Sequence, residues 1–156
     1  MTRIAPLRMR LDLGRPLREP QWPAGIGRVP VTPARAAEAH ALLEKAYENG
    51  AGEVAPPEQW WRDLQADSEY DPALFFVAAN GDGKIAGLAL VWTSSFVKDL
   101  AVSPAVRRQG VGTALIMTAA REMKARGASR LDLKVKADNV PAIRLYRALG
   151  FLPVAE

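Results

Sequence analysis

Hydrophobic positions along the chain repeat with two periods, one typical of helices and one typical of strands. Apolar residues recur every three or four positions in four stretches and predict four helices, which begin near residues 33, 57, 111 and 140. Shorter runs rich in valine, leucine and phenylalanine lie between them and predict strands. From residue 28 the predicted order is β, α, α, β, β, β, α, β, α, β. Upstream, the alternating segment MRLDL (residues 9–13) predicts one more short strand.

The first two helices begin in recognisable ways and carry unusual side chains. Thr32 and Pro33 are a typical N-cap and a typical first helical residue. His40 lies off the apolar stripe of the first helix, so we interpret it as an exposed histidine without a catalytic role. In the second helix, the adjacent Trp60 and Trp61 cannot both face a core. One of them is expected to line a groove or an interface, unless it is only a partly exposed aromatic residue.

The strands after the second helix predict an antiparallel meander followed by a parallel pair. NGDGK (residues 80–84) is a strong hairpin turn between two apolar runs. FVKDLAV (residues 96–102), a helix and RLDLKVKA (residues 130–137) form a β-α-β unit, so these two strands are expected to be parallel with a right-handed crossover. The second of them alternates, which predicts a half-buried strand with Asp132 and Lys134 on its polar face.

The bulk composition is that of a single globular domain without thiol or metal chemistry. The 156 residues are 49% hydrophobic and 24% charged. There is no cysteine, which excludes disulfides and a cysteine nucleophile, and the one histidine excludes a multi-histidine metal site. No apolar stretch approaches the roughly 20 residues that a membrane helix needs. The N-terminal residues contain no signal-peptide core, so we expect a soluble cytoplasmic protein with no metal and no membrane partner.

The net charge of +4 is distributed unevenly along the chain. Residues 1–35 hold seven arginines against two acids, residues 36–100 hold four basic residues against eleven acids, and residues 101–156 hold ten against four. A basic half suits a phosphorylated cofactor or a nucleic acid, and an acidic middle suits a cationic substrate. Solvated faces of mixed sign would give the same pattern, so the charge distribution alone does not choose between these interpretations.

The segment VSPAVRRQGVGTAL (residues 102–115) connects a predicted strand to a predicted helix. A helix N-terminus exposes N–H groups and a partial positive charge, and glycine lets the backbone approach a ligand closely. With Arg107 and Arg108 beside it, the site suits a phosphate group, and the paired arginines favour a diphosphate. The loop is not a dinucleotide-binding G-x-G-x-x-G, since Leu115 stands at the third glycine position, and it is not a Walker A loop. On this motif alone, a glycine-rich helix start with surface arginines stays open.

Two motifs together carry a resemblance to a known superfamily. The pattern V-x-P-x-x-R-x-x-G-x-G runs from Val102 to Gly112, and NVPAIRLYRALGF places Tyr146 seven residues after Asn139 and ahead of a Gly-Phe pair. In their order and spacing they resemble the two signatures of the GNAT superfamily of acyl-CoA-dependent N-acetyltransferases. The resemblance covers roughly residues 28–152, and the C-terminal third is similar to the ribosomal-protein N-terminal acetyltransferases.

The resemblance implies an α/β chain of the α+β type with the GNAT fold. In this fold a central mixed, mostly antiparallel sheet with splayed parallel strands is flanked by about four helices. The acetyltransferase domain would span residues 28–156, and residues 1–27 would be an N-terminal extension with an extra strand. The family usually pairs a further strand with the one that FLPVAE (residues 151–156) predicts. We expect MRLDL to fill that place, in its own chain or in a neighbour's, and a homodimer by strand exchange would follow from the second arrangement.

The resemblance also implies acetyl-CoA as the acyl donor and an amine as the acceptor. The end of the third meander strand would bind the pantetheine arm, the loop would bind the diphosphate, and Tyr146 would protonate the departing thiolate as general acid. Asn139 would serve near the cofactor as well as at the helix N-cap. A backbone N–H near Leu100 would polarise the thioester carbonyl, and the amine would attack it directly. The expected cofactor-binding residues are Leu100, Ala101, Val102, Arg107, Arg108, Gln109, Gly110, Val111, Gly112, Thr113, Asn139 and Tyr146.

The general base departs from the pattern of the family. Related enzymes often place a glutamate where this chain has Lys98 and Lys134, and a lysine is no base at neutral pH unless it is strongly desolvated. Asp99 is the adjacent candidate, but strand alternation points it to the other face unless a β-bulge redirects it. Glu53 or Glu58, or a chain of waters, are further candidates. Since the first two helices shape the acceptor site in such folds, the acidic middle implies a cationic amine.

Two other interpretations use the same residues differently. An acyl-CoA-binding sensor or regulatory domain would keep the fold without the chemistry, and the missing base supports it. A nucleic-acid-binding module is suggested by the pI of about 9.7. The chain has no recognisable nucleic-acid-reading motif, and its basic residues flank the predicted cofactor loop instead of following one helix. We therefore expect an N-acetyltransferase that does not bind nucleic acid.

Overall fold

The computed structural model describes residues 5–48 and 53–155, and the predicted elements occur in the predicted order. The helices are α1 (Pro33–Tyr47), α2 (Pro57–Ala66), α3 (Val111–Ala125) and α4 (Val140–Ala148). The strands are β1 (Leu7–Asp12), β2 (Gly27–Val29), β3 (Phe75–Ala79), β4 (Ile85–Trp92), β5 (Phe96–Val102), β6 (Arg130–Val135) and β7 (Leu152–Pro153). Strand β1 is the additional strand that MRLDL predicts.

The helices begin at the residues that the sequence indicates. The Thr32 side chain accepts a hydrogen bond from the backbone N–H of Arg35 at α1, and Asn139 accepts one from Ala142 at α4. Within residues 5–48 and 53–155, no helix has the length and the apolar surface that crossing a bilayer requires.

All seven strands form one sheet in the order β2-β3-β4-β5-β6-β1-β7. Every neighbouring pair is antiparallel except β5 and β6, which are parallel as predicted. The parallel pair is short, because only Phe96–Asp132 and Val97–Leu133 face each other across it. Beyond Val97 the two strands separate, so the sheet has an opening at its centre.

The two faces of the sheet carry separate hydrophobic cores. Helix α3 packs on one face with the buried side chains of β1 and β6, and residues of α4 pack against the same cluster. Helices α1 and α2 cover the other face, where Leu43 and Leu64 meet side chains of β3 and β4 such as Phe75 and Leu90. The opening between β5 and β6 consequently lies between the core under α3 and the core under α1 and α2.

Strand β1 lies between β6 and β7 of its own chain. The Nε atoms of Arg8 and Arg10 donate to the two oxygens of Asp132 at 2.9 and 2.8 Å, and Arg10 Nη2 adds a third hydrogen bond at 2.9 Å. Asp132 is only 1% exposed. Asp132 lies on the polar face that alternation predicts, paired with Arg10 across from the buried leucines. Its burial was not predicted, because alternation along β6 says nothing about the arginines that the distant β1 places over it.

His40 is also placed differently from the prediction. It is 2% exposed instead of lying on the surface of α1. Its Nε2 donates to the carbonyl of Ala55 at 2.6 Å, and its Nδ1 lies 3.1 Å from Glu44 Oε1. The ring of Trp60 packs against it edge-on at 5.6 Å between centroids. The prediction from the apolar stripe was wrong here, because α2 and the segment before it cover a second side of α1.

Candidate active site

The loop between β5 and α3 is short, exposed and conformationally unusual. After β5 the chain makes one 3-10 turn at Pro104–Val106, where the Ser103 hydroxyl accepts a hydrogen bond from the N–H of Ala105 at 3.4 Å. Arg108 and Gly110 then adopt left-handed backbone angles, with φ of 64° and 90°. For a residue with a side chain this conformation costs energy, and such residues cluster at functional sites.

The first turn of α3 begins directly at this loop. Gly110 is its N-cap and provides no side chain to cap the helix, so the first N–H groups are available to a ligand. Close packing holds this turn against the sheet at Gly87 of β4. A Cβ added there would lie 3.0 Å from Val111, from Leu115 and from the carbonyl oxygen of Ala101. The helix N-terminus is thus fixed beside the end of β5.

A cleft of about 380 Å³ lies where β5 and β6 separate, and we call it the β5–β6 cleft. Residues from α1, from both strands and from α4 line it. They are Pro6, Ala46, Tyr47, Val97, Lys98, Leu100, Leu133, Lys134, Val135, Lys136, Asn139, Ala142 and Tyr146. Of the predicted site residues, the structure brings Leu100, Asn139 and Tyr146 together here. The predicted residues 107–113 form the loop and the helix start beyond the end of β5.

Tyr146 stands in this cleft with restricted freedom. Its ring packs edge-on against Phe151 at 5.7 Å between centroids. Burial raises the pKa of its hydroxyl above the usual value, so the phenol is protonated at neutral pH. Asn139, one turn before the middle of α4, caps that helix and lines the same cleft. The side chain that could donate a proton is therefore held in place by the helix and by the core beneath it.

A β-bulge redirects Asp99. Leu90 on β4 faces Asp99, whereas the next residue, Val91, faces Val97, so Lys98 is an extra residue on β5. Val97 consequently packs into the core under α3, while Asp99 is buried on the face that α1 covers. Alternation alone would have put Val97 and Asp99 on one face. The structure therefore has the β-bulge that Asp99 needs in order to point toward the site.

Asp99 is bound to a tyrosine that the sequence did not single out. The hydroxyl of Tyr47 donates a short hydrogen bond to Asp99 Oδ1. Burial raises the pKa of Tyr47 well above its usual range, and the neighbouring carboxylate raises it further. Tyr47 lines the β5–β6 cleft, so it connects the buried carboxylate with that cleft. The sequence showed Tyr47 only as part of an apolar helical stripe, because its partner lies 52 residues away.

The other predicted base candidates are placed less favourably. Lys98 and Lys134 both line the cleft, and Lys98 Nζ lies 3.7 Å from Asp99 Oδ2. Glu53 and Glu58 are exposed, and they are absent from the described residues that line the cleft or the neighbouring pocket. Asp99 does not line the cleft itself, but it binds the hydroxyl of Tyr47, which does.

A smaller pocket of about 160 Å³ lies under α2, on the other side of the bulge. Two indole rings and three carboxylates contribute to its walls, and we call it the tryptophan pocket. Its lining residues are Ala55, Trp60, Asp63, Leu64, Asp67, Leu90, Trp92, Lys98 and Asp99. Lys98 lines both cavities, and Asp99 joins the pocket to the cleft through Tyr47. The prediction that one of the paired tryptophans lines a groove is confirmed for Trp60.

Comparison with known proteins identifies the family. Residues 36–151 match the acetyltransferase (GNAT) family. The chain belongs to this GNAT family. The mycothiol acetyltransferase of Clavibacter michiganensis is 32% identical over 142 residues, which cover 89% of this chain and 46% of that protein. The chain spans about half the length of the curated relatives it matches.

Solved structures agree with the GNAT fold. A GCN5-related N-acetyltransferase from Sphaerobacter thermophilus superposes with a TM-score of 0.81 at 25% identity, covering 96% of this chain and 48% of that one. The ribosomal-protein-S18-alanine N-acetyltransferase from Escherichia coli gives a TM-score of 0.66 at 24% identity, covering 83% and 79%. The predicted resemblance to the GNAT superfamily and its fold is confirmed.

Proposed function

We propose that this GNAT domain transfers the acetyl group of acetyl-CoA to a primary amine by direct attack. The observation that carries the proposal is the opening between β5 and β6, because it exposes the end of β5 beside the uncapped start of α3. A thioester with a long arm and a diphosphate needs such a slot next to an anion site. No nucleophilic residue and no covalent enzyme intermediate are required.

The residues present fit acetyl-CoA as the donor. The backbone of Leu100, Ala101 and Val102 would bind its extended arm in the manner of an added strand. The N–H groups of the loop and of the first turn of α3, with Arg107 and Arg108, would bind its diphosphate. Residues 107–113 hold two basic side chains and no acid. When bound, acetyl-CoA supplies an activated acyl group that an amine can accept.

The side chains around the cleft can manage the two protons of the reaction. Asp99 would accept the proton of the acceptor ammonium, directly or through the Tyr47 hydroxyl that it binds. The N–C bond then forms as the C–S bond breaks, which leaves a thiolate and a new amide nitrogen that still carries one extra proton. Tyr146 lines the cleft and would donate its proton to the departing sulfur, and the extra proton of the amide nitrogen would restore the phenol. Burial raises the pKa of both tyrosines, so each is protonated at neutral pH and Tyr146 holds a proton for the thiolate.

The first experiment is a calorimetric titration of the protein with acetyl-CoA. We expect one-to-one binding that weakens at least tenfold when Arg107 and Arg108 are both changed to alanine. Arg121→Ala is a matched control, since that arginine lies on the outer part of α3 and pairs with Glu19. An affinity that the double variant does not change would contradict the placement of the diphosphate.

Turnover then separates an enzyme from an acyl-CoA sensor. Release of free thiol from acetyl-CoA is followed with a panel of primary amines, with Tyr146→Phe as the inactive reference. Binding without thiol release for any amine would support the sensor, whose strongest argument was the missing glutamate. The Asp99–Tyr47 pair weakens that argument, because it offers a carboxylate at the junction of the two cavities. We also propose a cytoplasmic location, since the chain contains no cysteine.

A further inference from the structure

The tryptophan pocket is assembled by one face of α2 and one face of β4. Trp60, Asp63, Leu64 and Asp67 follow one another at helical spacing, so they point to the same side. Leu90 and Trp92 are two residues apart on β4 and share a face of the sheet. The helix therefore forms the roof and the strand the floor of a cavity that continues toward the β5–β6 cleft.

The charges around the pocket favour a cation. Three carboxylates and one ammonium line it, so its walls carry a net negative charge. Asp99, 4% exposed, is the buried acid, and Asp63 and Asp67 are exposed at the rim. Lys98 Nζ approaches Asp99 Oδ2 at 3.7 Å from a side chain that is half exposed. At 3.7 Å the two groups are too far apart for a hydrogen bond, so a ligand cation that approaches Asp99 more closely can replace the lysine.

The aromatic walls of the pocket are held in fixed orientations. Trp60 packs edge-on against His40 at 5.6 Å and against Phe75 at 6.4 Å between ring centroids. Trp60 and Trp92, the two tryptophans of the pocket, are only partly buried, so each presents some surface to a ligand. An ammonium group near an indole face gains a cation–π attraction. The methylene groups of an alkyl chain would pack on Leu64 and Leu90.

The pocket has an inner and an outer end. Asp99 faces Leu90 across β4 and β5, and this marks the end that adjoins Tyr47 and the cleft. The outer end lies at Trp92, where the N–H of Thr93 donates to the carbonyl of Glu69 just after Asp67. Two residues along an antiparallel strand span about 6.8 Å. Two nitrogens separated by four or five methylene groups would match this distance.

The volume sets a further limit on the ligand. The pocket offers a volume of about 160 Å³. A linear alkyl chain with a terminal nitrogen fits such a space. The part of the acceptor that enters is therefore narrow and flexible.

We propose that the acceptor carries two cationic nitrogens joined by four or five methylene groups, as in a linear diamine. The reacting amine lies at Asp99, and the second ammonium lies between Trp92 and the rim carboxylates Asp63 and Asp67. This inference rests on the proposed function and adds the substrate class. The second ammonium keeps its charge throughout. The reacting ammonium loses one proton to Asp99, directly or through Tyr47, before the N–C bond forms.

The test compares amines of the same chain length that differ in the chemical group at the end away from the reacting nitrogen. The probes are 1,5-diaminopentane, pentylamine and 5-aminopentanoate, which differ in presenting an ammonium, a methyl group or a carboxylate. With thiol release as the readout, we expect kcat/KM to fall at least tenfold from the diamine to pentylamine and further to 5-aminopentanoate. Equal values for the diamine and pentylamine would overturn the proposal. Ethylenediamine, whose nitrogens are too close together, should be no better than pentylamine.

Variants of the rim locate the second ammonium. Asp63→Asn with Asp67→Asn should raise KM about tenfold for 1,5-diaminopentane and leave KM for pentylamine unchanged. A matched control is Asp82→Asn, which changes an exposed aspartate in the β3–β4 turn, away from the pocket. Lys98→Met should lower KM for the diamine, because it removes the competing ammonium from Asp99. Equal effects of the rim variant on both amines would exclude a site for the second charge there.

A binding measurement separates failure of this inference from failure of the proposed function. The diamine is titrated into the protein without acetyl-CoA while tryptophan fluorescence is followed, with Trp92→Phe as a reference that should reduce the change. Acetyl-CoA binding and turnover of other amines, with no selectivity for the diamine and no fluorescence change, would overturn the acceptor class alone. Absence of acetyl-CoA binding would instead overturn the proposed function.

Discussion

The loop at the start of α3 and the tryptophan pocket would recognise their proposed ligands by different means. Residues 103–113 form one continuous segment and would bind mainly through backbone N–H groups and exposed arginines. The tryptophan pocket uses side chains from α2, β4 and β5, which lie up to 39 residues apart, from Trp60 to Asp99. Backbone recognition suits a donor that never changes. Side-chain recognition can be altered one residue at a time, which suits an acceptor that differs among relatives.

The two regions also differ in charge, in the way that the uneven distribution along the chain suggested. Arg107 and Arg108 stand beside the helix start, and Asp63, Asp67 and Asp99 line the pocket. The β5–β6 cleft lies between the two regions and contains Tyr47 and Tyr146. An anionic donor and a cationic acceptor would then approach the same cleft from opposite sides. The predictions below disturb the cleft, the pocket and the loop in turn.

The largest effect is expected at Tyr146, the proposed general acid of the reaction in which both regions would take part. Tyr146→Phe removes the proton donor but keeps the ring on Phe151, so kcat should fall about a thousandfold, within the usual range for general acids. Thiol release measures kcat, and calorimetry should give an unchanged dissociation constant for acetyl-CoA. A variant with normal kcat would mean that solvent supplies the proton.

Asp99→Asn tests whether the pocket contributes chemistry as well as binding. The amide keeps the size of the side chain and can still accept the Tyr47 hydrogen bond, but it cannot take a proton from the acceptor. We expect kcat to fall about a hundredfold at neutral pH and to recover partly at higher pH, where more of the amine is already neutral. A loss that does not change with pH would show a structural role for Asp99.

A smaller effect is expected from single arginine variants of the loop. Arg107→Ala or Arg108→Ala removes one charge-assisted contact, worth about 1.5 kcal/mol, so the dissociation constant of acetyl-CoA should rise about tenfold. The KM of the acceptor should stay the same, because the tryptophan pocket lies on the other side of the sheet. A parallel rise in both constants would mean that the two sites are not independent.

The smallest expected effect concerns Asp132, which supports one wall of the cleft. Burial of its carboxyl raises the pKa, but hydrogen bonds from Arg10 and Arg8 outweigh burial and leave the pKa below its usual value. A lowered pKa contributes stability above about pH 4, and that stability is lost as the pH falls through the folded-state pKa. Asp132→Asn should therefore flatten the acid side of a pH–stability curve measured by urea unfolding. The flattening should be absent in the control Asp82→Asn.

The comparison of the two regions also explains what the sequence could predict. Helix caps, the NGDGK turn, the parallel β5–β6 pair and the loop motif depend on neighbouring residues, so the sequence contains them directly. Tyr47, Asp132 and His40 were misjudged or missed because their partners come from elements 15 to 124 residues away. The bulge at Lys98 belongs to the same class, since a register shift exists only between two strands.

The proposed acceptor pocket lies in the acidic segment that the sequence indicated, but other acids than the predicted ones line it. Net charge pointed to the acidic segment, and the pair Trp60–Trp61 pointed to α2. The structure selects Asp63 and Asp67 at helical spacing from Trp60, and it leaves Glu53 and Glu58 outside. Only the packing of α2 on β4 decides which acids of an acidic segment share a cavity.

The position of β1 has a consequence for how the chain folds. Arg8 is synthesised long before Asp132, its partner 124 residues later, so β1 has neither of its neighbouring strands while the ribosome makes the rest of the domain. During that time Met9 and Leu11, both buried in the finished sheet, remain open to water or to a chaperone. Closing such a long loop is the kind of step that slows folding. The completion of the β6 wall should therefore be a late folding event, in which β1 takes its place long after it is synthesised.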